Sequence, residues 1–214
     1  IGPDKKERLP IDRVNAMSDG ILAIVITILV LGIDIPTDHK FSEEGLLSFI
    51  RKLEPSLIAY AMSFVMVGIY WVQHAALFQF LRHVNRRFIW LNILFLLPIT
   101  LIPFVAKVKA AYRYEPIAVV LFGSVHILCG LLLLALWSYA LAHPELLVGP
   151  ITSKVKHSMT LRILVSPVVC LAAMGVAYVD VDLGTYVFSI IPFFYIWHHT
   201  VDAYLQKENR KEAN

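Results

Sequence analysis

The residues whose types best suit a functional site stand just before the first apolar segment of the chain. Arg13, Ser18 and Asp19 precede a run, 20–33, that carries no charged residue. An ionisable side chain inside a membrane-crossing helix is costly without a partner, so Asp19 is a candidate functional residue. Alternatively, Asp19 lies near the membrane interface and pairs with Arg13 or a basic loop. Both interpretations stay open on this residue alone.

The same segment has a second pattern, in which residues recur every three or four positions and so share one helix face. They are Arg13, Met17, Gly20, Ile24, Thr27 and Leu31, with Ile28 beside them. At about 100° per residue, Asp19 lies about 140° from Ile24, and Ser18 lies about 120° away on the other side. The polar pair therefore faces away from this aliphatic stripe. Such a stripe is usually plain helix packing and does not by itself indicate a pore.

Other polar side chains interrupt later apolar segments, notably His74 and Asn92, followed by His126, His198 and His199. A single histidine in a membrane helix is more often hydrogen-bonded to a neighbour than titrating. The sequence has no nucleophile–base pair, phosphate loop, His-Glu-x-x-His motif or cysteine cluster. Nothing therefore favours an enzyme, a metal centre or a cofactor, and no basic cluster suggests nucleic acid.

The elements that must position these residues are membrane helices. Hydrophobic residues make up 58% of the 214 positions, against about 45–50% in a soluble domain. They collect in runs long enough to cross about 30 Å of hydrocarbon. The composition predicts an all-α polytopic membrane protein with six transmembrane helices, at 13–34, 55–82, 87–106, 116–142, 158–179 and 184–204.

The predicted domain organisation is one membrane unit with short polar ends. It comprises a cytoplasmic N-terminal segment, 1–12, a six-helix transmembrane domain, 13–204, and a polar cytoplasmic tail, 205–214. Pro55 suits the first turn of helix 2, where its missing N–H costs nothing. Just before it, apolar residues at helical spacing among charges predict a separate amphipathic helix at the membrane surface.

The distribution of lysine and arginine predicts the orientation. With the N-terminus inside, 13 of the 19 cationic residues lie in the inner segments. Cytoplasmic loops carry an excess of Lys and Arg, so both termini are expected in the cytoplasm.

The motif Arg13-x-x-x-Met17-Ser18-Asp19 resembles the Arg-x-x-x-Phe-Ser-Asp signature of the transmembrane protein 175 family of endosomal and lysosomal potassium channels. Met17 replaces the usual phenylalanine, which keeps bulk and loses the ring. Further similarities follow in order: Ala23-Ile24-x-x-Thr27, Trp71-x-x-His74, Leu77-Phe78, Leu91-Asn92 and Pro103-Phe104. The resemblance is dense in the first half of the chain and rests on helix count in the second half.

The resemblance implies a modestly potassium-selective channel in a prokaryotic plasma membrane. Because it carries a single copy of the signature, the chain resembles the prokaryotic members of the family. This resemblance implies a homotetramer in the lipid bilayer, with helix 1 lining a central pore. It implies no Thr-Val-Gly-Tyr-Gly filter and no cofactor beyond the permeant potassium ion. It assigns Ile24 and Leu31 to hydrophobic rings, with Ile28 beside them in the pore lining, and Thr27 to a hydroxyl ring tied to potassium preference.

On the opposite face of helix 1, we expect Ser18 and Asp19 to meet His74 and Asn92 in a structural polar network, capped by Arg13. A proton-coupled secondary transporter that uses Asp19 and His74 as a relay is the alternative function. No inverted repeat or matching pair of broken helices is visible in the sequence, and these features would favour a transporter.

Overall fold

The computed structural model describes residues 11–33 and 41–197, which form a bundle of six α-helices. The helices are α1 (Ile11–Ile28), α2 (Phe41–Phe78), α3 (Arg86–Ala111), α4 (Pro116–Ala142), α5 (Ser153–Ala177) and α6 (Val181–Trp197). A 3-10 turn, Leu29–Gly32, continues α1, and a second, Pro144–Leu146, lies between α4 and α5. The predicted all-α class with six helices is confirmed. Among the described residues, five helices are long and apolar enough to cross a membrane, while the apolar stretch described for α6 is shorter.

The largest difference from the predicted boundaries is in α2. The segment predicted as a separate surface helix is the first part of one helix that runs from Phe41 through Pro55 to Phe78. The prediction that Pro55 starts a helix was therefore wrong. A proline inside a helix removes one backbone hydrogen bond and crowds the preceding turn, but here it does not end the helix.

Some predictions fall outside the described residues. The tail 205–214, His198 and His199 lie beyond them, as does the segment 1–12 except for its last two residues, which are in α1. The predicted end of helix 6 at 204 also lies outside the described residues, and the other boundaries shift by a few residues. For example, α5 begins at Ser153 rather than 158, with Thr152 as its N-cap.

The core of the bundle is built where α4 packs between α3 and α5, and α5 packs in turn on α6. Large aromatic side chains fill this interior, including the fully buried Phe95, Phe122 and Trp137. Glycine allows a close approach of α4 to α5, since a Cβ at Gly130 would lie 2.4 Å from Pro167 Cγ. Dense packing of this kind replaces hydrophobic burial as the force between helices in lipid.

One end of the bundle is tied together by its loops. The loop after α2 and the loop after α4 form an isolated antiparallel bridge between Leu81 and Leu147. The Arg82 N–H donates to the Leu146 carbonyl at 2.8 Å, and the Val148 N–H donates to the Phe80 carbonyl at 3.0 Å. We call this the bridged end; α2 and α4 finish there, and α3 and α5 begin there.

Candidate functional site

The first helix has one packed face and one free face. Ser18, Leu22, Val25 and Leu29 are buried against the rest of the bundle and recur at helical spacing. This face contacts α2 and α3. Because these residues satisfy the packing of α1 within its own subunit, the other face is available for a different environment.

The free face is the stripe that the sequence defines. Arg13, Met17, Gly20, Ile24, Thr27, Ile28 and Leu31 are all exposed. The exposed fractions are 57% for Ile24, 43% for Ile28 and 74% for Leu31. Plain packing inside the subunit therefore does not explain this stripe.

Thr27 adds the polar atom to this apolar face. Its hydroxyl donates a hydrogen bond to the Ile24 carbonyl, with the two oxygens 2.8 Å apart. A hydroxyl whose proton is bound to its own helix still has lone pairs that can accept or coordinate. The stripe can thus present an oxygen ligand between two levels of aliphatic side chain.

On the packed face, Ser18, Asn92 and His74 form a hydrogen-bonded chain across α1, α3 and α2. The Asn92 amide nitrogen donates to the Ser18 hydroxyl at 2.8 Å, and the Ser18 hydroxyl donates to the Val14 carbonyl at 3.0 Å. His74 Nε2 lies 2.8 Å from the Asn92 side-chain oxygen. All three side chains are buried to 0–1% exposure.

The direction of this chain follows from its donors. Since the Asn92 nitrogen donates to Ser18, its oxygen is the acceptor, and His74 Nε2 must carry the hydrogen. His74 Nδ1 has no hydrogen-bond partner among the described residues. The imidazole ring packs against Phe78, with ring centres 4.2 Å apart, and stacks on Phe95 at 5.5 Å. The hydrogen bond to Asn92 and the two ring contacts hold the imidazole of His74 in a fixed orientation.

Asp19 lies outside this chain. One carboxylate oxygen accepts from the Trp71 indole N–H at 2.9 Å, and the other accepts from the Asn15 amide at 3.2 Å. Asp19 is half-buried, and Trp71 is 46% exposed. Asp19 therefore links α1 to α2 by a hydrogen bond near the surface of the subunit. It makes no hydrogen bond to His74.

The structure brings some predicted network members together and separates others. Ser18, His74 and Asn92 meet, whereas Asp19 has its own partners. Arg13 is exposed and has no hydrogen bond or ion pair with a residue in 11–33 or 41–197, so it does not cap the cluster. Sequence reasoning gave Trp71 no role beyond its place in a motif. The signal available was its spacing, three residues before His74 on the same helix.

A second buried polar group was missed, although His126 had been noted. The Tyr70 hydroxyl donates to the His126 carbonyl at 3.0 Å and lies 3.2 Å from His126 Nδ1 and 3.3 Å from the Ser166 hydroxyl. It joins α2 to α4 and α5. Within residues 11–33 and 41–197, no three His, Cys, Asp or Glu side chains are grouped to hold a metal ion.

Comparison with known proteins matches the part of the chain that carries this geometry. Residues 13–103, which contain α2 and most of α1 and α3, match the family described as endosomal/lysosomal potassium channel TMEM175. A potassium channel from Chamaesiphon minutus is 28% identical over 187 residues, which cover 86% of this chain and 92% of that protein. An endosomal/lysosomal proton channel TMEM175 from Gallus gallus is 28% identical over 190 residues, 85% of this chain and 37% of that protein.

The fold also matches a solved structure. The crystal structure of a lysosomal potassium-selective channel TMEM175 homologue from Chamaesiphon minutus superposes with a TM-score of 0.77 at 25% identity. The match covers 87% of this chain and 96% of that one, so it includes the second half, where the sequence motifs are sparse.

Proposed function

The chain belongs to the TMEM175 family of potassium channels, and we propose that it conducts potassium through a central pore formed by the α1 helices of several copies. The observation that carries this proposal is the free face of α1. One helix cannot enclose a path, so the stripe needs equivalent helices opposite it. Four copies is the number that the family resemblance implies.

In this assembly the exposed aliphatic side chains would form the gate. Rings of Ile24, Ile28 and Leu31 around an axis would present apolar walls to a narrow water column. Such constrictions close a pore by dewetting, without a moving plug. The exposure of all three side chains in the subunit supports this role.

Thr27 would supply the potassium preference. Four hydroxyl oxygens at one level would replace part of the hydration shell of an ion. Because each hydroxyl proton is bound to the Ile24 carbonyl, the lone pairs are the part left for a cation. One ring of oxygens is a sparse filter, so we propose modest selectivity for potassium over sodium.

The polar chain Ser18–Asn92–His74 would then have a structural role. It fixes the rotation of α1 against α2 and α3, which determines which residues face the axis. We assign the protein to a prokaryotic plasma membrane with both termini in the cytoplasm, an orientation supported by the excess of Lys and Arg in the loops of the bridged end.

The test is the reversal potential of the purified protein in planar bilayers with asymmetric potassium and sodium chloride. A channel of the proposed kind gives a potential displaced toward the potassium equilibrium value, at fluxes that need no coupled solute. A reversal potential at zero under this gradient would exclude potassium preference, and absence of current would exclude conduction.

The alternative is the proton-coupled transporter. It gains little from the geometry, because Asp19 and His74 have separate hydrogen-bond partners. It predicts that potassium flux requires a proton gradient. The same bilayer measurement with and without a pH step therefore distinguishes the two functions.

A further inference from the structure

The Tyr70 hydroxyl connects α2 to α4 and α5, two helices to which the proposed function gives no role. It donates to the His126 carbonyl at 3.0 Å and lies 3.3 Å from the Ser166 hydroxyl. Its oxygen is also 3.2 Å from His126 Nδ1. We call Tyr70, His126 and Ser166 the tyrosine cluster; all three side chains are buried to 0–1% exposure. Phenylalanine would fill almost the same volume, so the hydroxyl adds a requirement for position that packing alone does not impose.

The groups that bind the hydroxyl lie where α4 and α5 pack closely. Gly130 follows His126 by about one turn of α4, and Pro167 follows Ser166 directly in α5. A Cβ at Gly130 would lie 2.4 Å from Pro167 Cγ, so the two backbones approach each other at this level. The His126 ring also packs edge-on against Phe122, with ring centres 4.5 Å apart. The tyrosine cluster therefore presents fixed hydrogen-bonding groups to α2.

One turn further along α2 is the histidine that holds α1 through Asn92. His74 follows Tyr70 by four residues, which is about 6 Å along the helix axis and about 40° around it. His74 Nε2 is 2.8 Å from the Asn92 side-chain oxygen, and the Asn92 amide donates to the Ser18 hydroxyl of α1 at 2.8 Å. Residues 70–74 belong to one continuous α-helix, so a displacement of α2 at Tyr70 also displaces His74.

We infer that Tyr70 is a positioning residue for the pore lining, through which α4 and α5 set the rotation of α1 by way of His74 and Asn92. This inference rests on the proposed function, in which the free face of α1 surrounds the pore. Ser18 and Thr27 belong to the same helix, so any rotation of α1 that a weakened hold on Ser18 permits also moves Thr27 relative to the axis. A hydroxyl that only satisfied the interior of the bundle would stabilise the subunit without affecting α1.

The first test measures the position of α1 directly. Val25 is 4% exposed on the packed face, so the thiol introduced by Val25→Cys should react slowly with N-ethylmaleimide in detergent micelles. Adding Tyr70→Phe should accelerate this reaction roughly threefold, the change in an opening equilibrium that corresponds to an average hydrogen bond between membrane helices. Mass spectrometry of the peptides separates this label from any on the buried Cys129 and Cys170.

The matched control removes a hydrogen bond from the same pair of helices without involving α2. The Trp137 indole N–H donates to the Thr160 hydroxyl at 3.2 Å and so joins α4 to α5. Thr160→Val deletes this bond and should leave the labelling rate of Val25→Cys unchanged. Ser166→Ala removes one partner of Tyr70 and should accelerate labelling by less than Tyr70→Phe does. It serves as the test variant where Tyr70→Phe gives no folded protein.

The second test measures ion preference in planar bilayers with asymmetric potassium and sodium chloride. Tyr70→Phe should lower the potassium-to-sodium permeability ratio toward unity, and Thr160→Val should leave the ratio at the wild-type value. In a Ser18→Ala background, where the link to α1 is already broken, Tyr70→Phe should lower the ratio little further. A wild-type protein without current or potassium preference would refute the channel proposal, while the labelling rates, which need no ion flux, would still decide the role of Tyr70.

Three outcomes would overturn the inference. The first is a labelling rate of Val25→Cys that Tyr70→Phe leaves unchanged. The second is equal acceleration by Tyr70→Phe and Thr160→Val, which would mean that any loss of stability loosens α1. The third is additive loss of potassium preference in Tyr70→Phe and Ser18→Ala, which would mean that Tyr70 affects the pore by a route other than Asn92.

Discussion

The side chain of Asn92 donates to the Ser18 hydroxyl across 2.8 Å and accepts from His74, so one amide links three helices in the interior of the subunit. Ser18 lies on the packed face of α1, and Ile24 lies on the free face. The hydrogen bond therefore sets the rotational position of the helix that bears the proposed pore lining.

Removing the Ser18 hydroxyl should destabilise the subunit. Ser18→Ala leaves the buried Asn92 amide without an acceptor, and we expect a loss of about 0.6–2 kcal/mol, the range for hydrogen bonds between membrane helices. The measurement is reversible unfolding in mixed detergent micelles. Thr100→Ala is the control, because its exposed hydroxyl bonds the Leu97 carbonyl of its own helix. Equal losses in both variants would refute a special role for the Ser18 link.

A polar residue in the apolar part of the stripe should open a resting leak. Leu31→Asn hydrates a constriction that depends on apolar walls, so potassium efflux from proteoliposomes should rise above wild type, and Ile24→Asn should do the same. Leu97→Asn is the control, since Leu97 is 60% exposed but lies on α3. If Leu31→Asn behaves like Leu97→Asn, α1 does not line the path.

The hydroxyl of Thr27 should matter for ion preference rather than for conduction. Thr27→Val keeps the shape of the side chain and removes the oxygen, so the potassium-to-sodium permeability ratio should fall toward unity while current persists. Thr100→Val removes an equivalent exposed hydroxyl that also donates to its own helix, at 2.7 Å, and should leave the ratio unchanged. A wild-type ratio in Thr27→Val would exclude this hydroxyl as the selectivity ligand.

The contact between α4 and α5 should tolerate no added methyl group. Gly130→Ala places a Cβ 2.4 Å from Pro167 Cγ, and overpacking of this kind costs typically about 1–3 kcal/mol. Gly175→Ala is the control on α5, where nothing lies within 4 Å of the added carbon. Midpoints of thermal unfolding in detergent should separate the two variants; coincident midpoints would show that α5 shifts freely.

Substitution of Trp71, which donates to Asp19, distinguishes a structural role of the Asp19 carboxylate from a role as a proton relay. Trp71→Phe removes the indole donor, and we expect weaker assembly in size-exclusion profiles with an unchanged dependence of flux on pH. Leu57→Phe is the control, an exposed site elsewhere on α2 that takes the same new side chain. Intact assemblies with altered pH dependence in Trp71→Phe would favour the relay.

Sequence periodicity predicted the two faces of α1 because angle along a helix depends only on residue number. The stripe from Arg13 to Leu31 and the opposing position of Ser18 follow directly from it. What covers the stripe does not follow, since lipid, a neighbouring subunit and a pore all accept aliphatic side chains. The family resemblance was needed to choose among them.

The hydrogen-bond partners of Asp19 could not be predicted from the sequence, for a different reason. Which residues meet between two helices depends on the relative height of the helices, and helical periodicity does not fix that height. Ser18 and Asp19 are adjacent in the chain, yet they bond Asn92 and Trp71 respectively. The prediction that Pro55 starts a helix was also wrong, because a proline can stand within a helix as well as start one.

The 3-10 turn that continues α1 has a mechanical consequence. It advances about 120° and 2.0 Å per residue, against about 100° and 1.5 Å in an α-helix. Leu31 consequently stands directly above Ile28 along the axis. Rewinding these residues as α-helix would swing Leu31 through about 60° and draw it back by about 1.5 Å, while Ser18 and Leu22 kept their contacts. A change of the Leu29–Gly32 turn from 3-10 to α-helical geometry would therefore reorient the side chain of Leu31 while α1 itself stays in place.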